Sequence, residues 1–407
     1  MKNNSVFIRA KIFLVAFFVI LTYFFSNDFG LIDIEKTAIV TAITVDKEND
    51  EYEITMQIAV PEATTESSDN EQTLVTGKGR TVGEAIGNVG SLTGWFPKLS
   101  FCNLILLGEN VYKENISASA EYFIRSVRVQ DSALIAATEG KASDIIKNAT
   151  PLDNVSSFAI QKVLLRKTGI DGAVLKTDIK DFLKNFYSRS RTAYLPLISV
   201  ESDENTKNSG NSGQGSGSGS SSQGSGESQG PEEGKKLFTA TKTVVIKGEK
   251  TVGILTPSET NAAVFFKQAI FDSSLPVSDV EINGKSENFL LRIIRSESKK
   301  KITLSGETVS VKVYQNVSVK TADQTIKFGS DEYLPFFTVL KSASEKAERD
   351  LKAEMLGFLN VCKTLNADLI GVDDAIYRYH HDKYDLLKDR LFENINFDVS
   401  VNVYGQK

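Results

Sequence analysis

Ala38-Ile39-Val40-Thr41-Ala42-Ile43-Thr44-Val45-Asp46 is followed, after the polar loop Lys47–Glu51, by Tyr52-Glu53-Ile54-Thr55-Met56-Gln57-Ile58-Ala59-Val60. Both runs alternate apolar and polar residues, with many β-branched side chains, and Pro61 stops the second. A period of two on either side of a short polar loop predicts an antiparallel hairpin.

Working outward towards the C-terminus, Thr73–Lys78 predicts a short strand. Thr81, with Glu84 three residues on, predicts a capping box and a helix over Val82 to about Val89. Leu104–Gly108 and Ala133–Ala137 are continuous apolar runs of strand length. Helices are predicted between and after them, over Ala118–Arg125, from Lys141, over Val155–Leu165 and over Ile179–Tyr187, with a further strand at Ala193–Val200. Strands alternating with helices after an opening hairpin predict mixed sheets flanked by helices, an α+β or α/β unit.

Residues 201–236 hold no apolar residue except Pro231, and seventeen of the twenty-two positions in Ser209–Gly230 are Ser or Gly. Such a stretch cannot bury enough surface to offset its ordering entropy, so a disordered linker is expected. Beyond it, strands are predicted at Leu237–Lys247 and Thr251–Leu255, and a helix opening at Pro257 with Ser258 as its N-cap. Phe289–Ser296, Lys301–Leu304 and Thr308–Val319 predict three more strands, with Ser298–Lys301 as a solvated turn. From about Leu340, the residues Leu340, Ala343, Ala347, Leu351, Met355, Phe358 and Cys362 form one apolar stripe along a helix of about six turns. Asn394–Tyr404 alternates as a last strand. The expected organisation is thus residues 1–27 as a membrane segment, 28–200 as a first α+β region, 201–236 as the linker, and 237–407 as a second α+β region, giving two to three domains.

Working outward in the other direction, Ile12–Phe25 is fourteen residues without a charge, after Lys2, Arg9 and Lys11 and before Asp28. Basic residues, an apolar run and then acidic residues predict an export signal, with the body outside the cytoplasm. Fourteen residues make a helix of about 21 Å, suited to a cleaved signal core; the twenty from Val6 make about 30 Å, enough for the hydrocarbon core. The flank Ser26–Gly30 offers no convincing small-x-small cleavage site, so an uncleaved anchor is expected. Its lipid-facing residues would be Ile12, Phe13, Leu14, Val15, Phe17, Phe18, Val19, Ile20, Leu21, Phe24 and Phe25.

The net charge is −5, and setting aside the +3 of Lys2, Arg9 and Lys11 leaves −8 for residues 28–407. An acidic body argues against nucleic-acid binding, which needs a basic face. Two cysteines, Cys102 and Cys362, both in apolar settings, encode neither a disulfide framework nor a zinc site and read as buried thiols. The adjacent His380 and His381 point in different directions on either a helix or a strand and read as a surface pair. Gly77-Lys78-Gly79-Arg80-Thr81-Val82-Gly83 imitates a phosphate loop but has neither the dinucleotide spacing nor the Walker order. No cofactor, metal or catalytic constellation emerges.

Asp33–Asp46, the second strand Tyr52–Ala59, the segment Leu99-Ser100-Phe101-Cys102-Asn103-Leu104-Ile105-Leu106-Leu107-Gly108-Glu109 and the stretch from Arg125 to Lys141-Ala142-Ser143-Asp144-Ile145 together resemble the Ger(x)C family. These are the C subunits of GerA-type spore germinant receptors. The C-terminal order of strands, long helix and strand is similar too. Thr44 stands where the family often has Gly. The family usually carries a lipidated cysteine just after the signal core, whereas no cysteine precedes Cys102 here, so a lipid anchor is not carried over. The resemblance implies a non-enzymatic receptor subunit acting with two integral-membrane partner subunits at the spore inner membrane. A membrane-anchored enzyme or solute-binding protein is the alternative.

Overall fold

A computed structural model describes residues 3–26, 37–59, 73–114, 116–125, 129–148, 150, 153, 155–166, 174–202, 236–325, 338–388 and 390–405. The expected hairpin is present: β1 (Thr37–Glu48) and β2 (Glu51–Ala59) pair antiparallel from Glu48↔Glu51 to Ile39↔Ala59, with a bulge between Val40 and Ala42. Asn49 and Asp50 turn the chain with positive φ, a conformation these two residue types adopt more readily than most others.

This hairpin seeds a mixed sheet. β3 (Thr73–Gly79) lies outside β2. On the other side come β5 (Leu104–Leu107), β6 (Leu134–Thr138), β7 (Thr192–Ser202), β8 (Lys236–Lys247) and β9 (Lys250–Leu255), and the short β4 (Phe96–Lys98) pairs with the start of β1. β1, β5, β6 and β7 run parallel, with Val45, Leu107, Ala137 and Leu197 in one row. Parallel strands need crossover helices, and these cover both faces. α2 (Val82–Thr93), α3 (Glu109–Glu114), α4 (Ile116–Arg125) and α7 (Ile179–Phe186) pack on one face with Ile43, Val45, Ile105 and Ile135. α5 (Ala142–Ile146) and α6 (Ser156–Leu164) pack on the other with Ala42, Leu104, Leu106 and Ala136.

Two glycines of the phosphate-loop look-alike have a packing role. A Cβ on Gly77 would lie 2.4 Å from Ala85 O and one on Gly79 2.6 Å from Ala85 N, so they let α2 sit directly on β3. Thr81 caps α2 as expected, its Oγ1 accepting from Glu84 N–H, but the Glu84 carboxylate accepts from Arg80 N–H instead of closing the box on Thr81.

A second sheet has the order β10 (Ser273–Ile282), β11 (Lys285–Ser305), β12 (Thr308–Gln324) and β13 (Ile395–Gly405), with β13 parallel to β12. α9 (Lys341–Thr364) lies on it through the expected stripe: Ala343, Ala347, Leu351, Met355, Phe358 and Cys362 are all buried. α8 (Pro257–Lys267) sits between the sheets, and its Phe266 ring lies 5.4 Å from that of Phe358. One core runs from Tyr194, Val245 and Leu255 of the first sheet through α8 to the second.

The structure corrects three expectations. β8 and β9, assigned to the second region, hydrogen-bond into the first sheet, with Ser202 opposite Lys236 and Thr192 opposite Lys247. The Gly/Ser segment, outside the described residues over 203–235, therefore joins neighbouring strands of one sheet. Ser298–Lys301 is the middle of the unbroken β11, because the even alternation of β12 pairs with it throughout, Lys299↔Tyr314 to Lys301↔Lys312. The α8 cap is Thr256, not Ser258: Thr256 and Glu259 close a full capping box with Pro257 at the first helical position.

At the N-terminus, α1 runs over Asn3–Ser26. Its side chains are described over residues 11–22, where Ile12, Phe13, Leu14, Val15, Phe17, Phe18, Val19, Ile20 and Leu21 are all exposed. Phe24 and Phe25 fall outside that range. Among the described residues no helix is long and apolar enough to cross a membrane.

Candidate functional site

The segments that carry the family resemblance converge in space. Asp46, at the end of β1, is buried, and its carboxylate accepts from Ala142 N–H at 2.8 Å and Ser143 N–H at 2.9 Å, the free amides at the start of α5. Burial pushes the Asp46 carboxyl above the usual carboxylate range, against the downward pull of those two donors. Gly108 N–H donates to Val45 O at 2.8 Å, and a Cβ on Gly108 would lie 2.0 Å from Asp46 Oδ1. Only glycine leaves the carboxylate room there. Glu109 then exchanges bonds with Gly140, N–H to O at 2.9 Å and Gly140 N–H to Oε2 at 3.3 Å.

Gln57 of β2 plays the matching part for α6. It is buried, and its Oε1 accepts from Ser157 N–H at 3.1 Å, while Thr41 Oγ1 bonds to Gln57 O at 3.2 Å. Polar residues inside an apolar strand thus hold the crossover helices to one face of the sheet. Thr44 fits the same face, its hydroxyl donating to Thr55 O at 3.4 Å.

A cleft of about 600 Å³ opens between the sheets, where the Arg189–Arg191 turn and the Lys247-Gly248 turn meet Asn366–Asp373 and the region of α10 (Val372–Tyr379) and α11 (His381–Leu387). Four cations, Arg189, Arg191, Lys247 and Lys388, line it against two carboxylates, Asp368 and Asp373. Asp368 is buried and caps α10, accepting from Gly371, Val372 and Asp373 N–H at 2.8–3.0 Å, while its own N–H donates across to Thr192 Oγ1 at 3.3 Å. The Arg189 guanidinium lies 3.2 Å from the centre of the Tyr377 ring, a stacking that fixes its plane. Lys247 Nζ donates to Asn366 O, and burial pulls its ammonium below the ordinary lysine range. Burial likewise raises the Asp373 carboxyl, and its Oδ1 is buried without a hydrogen-bond partner among the described residues. Neither histidine nor cysteine is among the described lining residues, and the excess of cations suits contact with an anion. The cleft draws on four separate segments, so the sequence gives only the local cue Ser188-Arg189-Ser190-Arg191.

His381 is exposed, and among the described residues no group of three or more His, Cys, Asp or Glu could hold a metal ion. Cys102 and Cys362 are free, buried thiols, each pushed up to about 12 by burial.

A mixed sheet opened by a hairpin, with crossover helices pinned by Asp46 and Gln57, and a second sheet under one long helix define a two-sheet α+β protein. The family of spore germination protein N-terminal domains matches residues 31–200, and the Spore germination B3/GerAC-like C-terminal family matches residues 241–404. The chain therefore belongs to the Ger(x)C family of germinant receptor C subunits, and its role lies in spore germination. It is also similar to a solved structure titled as the crystal structure of the GerBC protein, at 16% identity and a TM-score of 0.50, covering 91% of this chain and 99% of that one. No curated protein matches.

Proposed function

We propose that the protein is a non-enzymatic subunit of a nutrient germinant receptor, held on the outer face of the spore inner membrane by α1 and acting with two integral-membrane partner subunits. The observation that carries this reading is α1 itself. In a family that usually anchors through a lipidated cysteine, this chain has no cysteine before Cys102, and in its place a 24-residue helix with an uncharged run. The described apolar side chains of that run point outward all round the helix, which suits lipid and not water. At 1.5 Å per residue the uncharged run from Ile12 to Phe25 is about 21 Å and the twenty residues from Val6 about 30 Å, so this anchoring relies on Arg9 and Lys11 reaching back to the interface. Deleting the gene in the spore-forming host should abolish or strongly slow germination with one class of nutrient while leaving spores viable. Unchanged germination in a strain without paralogues would overturn the reading.

A second reading, binding of a small anionic solute, is favoured by the four cations of the inter-sheet cleft. A rise in the melting temperature of the full chain with a small carboxylate or phosphate, lost in Arg189→Ala, would support it; no rise with any small anion would remove it.

A further inference from the structure

One end of the first sheet carries a group of exposed apolar side chains that the core does not use. α2 buries Val82, Ala85, Ile86 and Val89 and stops at Gly94, whose φ of 71° turns the chain into β4. β4 lies beside the first residues of β1, with Thr37↔Phe96 and Ile39↔Lys98. On this turn Leu92 is 75% exposed and Trp95 49%, and Phe101, closing the short 3₁₀ turn Leu99–Phe101, is 50% exposed. Ile39, opposite Lys98, is exposed as well. Lys98 Nζ lies 5.8 Å from the centre of the Phe101 ring. Three large apolar side chains exposed within ten residues at the start of β1 and β4 suit a contact surface.

The chain's own path favours one occupant. β1 begins at Thr37 and α1 ends at Ser26, so ten residues join them, a reach of at most about 36 Å. The chain leaving α1 thus enters the sheet at this end. Asp46 lies seven residues further along β1 from Ile39, about 24 Å away. Trp and Phe beside a lysine are the side chains that settle at the headgroup level of a bilayer, where the lysine stem can lie along apolar surface and its ammonium reach water. The body of the protein is net acidic, so attraction to anionic lipid cannot supply the contact, and insertion of apolar side chains can.

We infer that Leu92, Trp95 and Phe101 form a foot that enters the interfacial layer of the bilayer holding α1. The foot sets β1 with its start towards the membrane and the Asp46 end away from it. This inference rests on the anchoring of α1 proposed above, and one experiment separates the two. Trp95 is the only tryptophan of the chain, so its emission reports on the foot alone. The full chain is placed in phosphatidylcholine nanodiscs whose belt protein has been made free of tryptophan, with and without bromine near the top of the acyl chains. The expected result is blue-shifted emission, weaker in the brominated discs than in the plain ones, with little quenching by aqueous iodide. A Leu92→Trp, Trp95→Phe double variant moves the reporter across the foot and should behave alike. Elution with the discs, but with emission quenched by iodide and not by bromine, would overturn the foot and leave the anchor standing. Elution apart from the discs would overturn the anchor and the foot with it. Shielding that arises only when integral-membrane partner proteins are added would overturn the lipid assignment in favour of a protein contact.

Discussion

Asp46 shows how one residue can link distant segments of the chain. It is followed in sequence by nothing that explains its burial; its partners, Ala142 and Ser143, lie almost a hundred residues away. Asp46→Ala leaves two buried amides unpaired, and at about 1–3 kcal/mol each the variant should lose about 2–6 kcal/mol in urea unfolding of the full chain. Gly108→Ala should be destabilised by the clash with Oδ1, and the two changes should be non-additive, because removing the carboxylate also removes the clash. Additive costs would mean that Gly108 is held by something else. The pH dependence has a definite sign. Burial raises the folded-state pKa of Asp46, so between the ordinary carboxylate range and the raised value the folded protein holds a proton that the unfolded chain releases. Its contribution is full below that window and declines as pH rises through it. The stability of the native protein relative to Asp46→Asn should therefore fall with rising pH; a growing difference would mean that the amide donors outweigh burial. At the same scale, Cys102 and Cys362 should resist maleimide labelling at mildly alkaline pH and both react on unfolding, since only the thiolate is the nucleophile. The burial of both thiols was legible from their apolar neighbours, whereas the role of Asp46 was legible only as a family pattern.

Most elements follow from periodicity, and the departures have local causes. The β1–β2 hairpin and the α9 stripe were legible because each has a long run of a single period with one buried face. Phe358, fully buried against Phe266, carries the contact between α8 and α9, and Phe358→Ala should cost about 3–5 kcal/mol. The polar run Ser298–Lys301 hides its strand because pairing with β12, not burial, holds it; Lys300 reaches Ile370 O on the neighbouring segment. β10 escapes notice because Pro276 and a bulge between Val277 and Val280, with Asp279 at a φ of 56°, break its alternation. The start of α8 offers two candidate caps two residues apart. Thr256→Ala should cost about 1 kcal/mol and Ser258→Ala within about 0.5 kcal/mol. The reverse order in thermal unfolding would contradict the observed capping box.

At the scale of the whole molecule, composition pointed to a linker between two units, yet the first sheet passes across it. Composition reports that a segment cannot fold, not which strands it joins, and the pairing of Ser202 with Lys236 is set by β7 and β8. Replacing residues 203–235 by a four-residue turn should therefore leave the fold intact and stabilise it by about 2 kcal/mol through the shorter loop. Loss of folding would contradict the shared sheet. The cleft between the sheets was beyond the reach of sequence for the same reason, since four separate segments build it. The central proposal is that α1 keeps this Ger(x)C chain on the membrane in place of a lipidated cysteine. Mass spectrometry of the protein from the carbonate-washed inner-membrane fraction of spores tests it most directly. The expected result is a membrane-retained chain that still contains Ile12–Phe25. A chain that begins near residue 28 and is released from the membrane would contradict it.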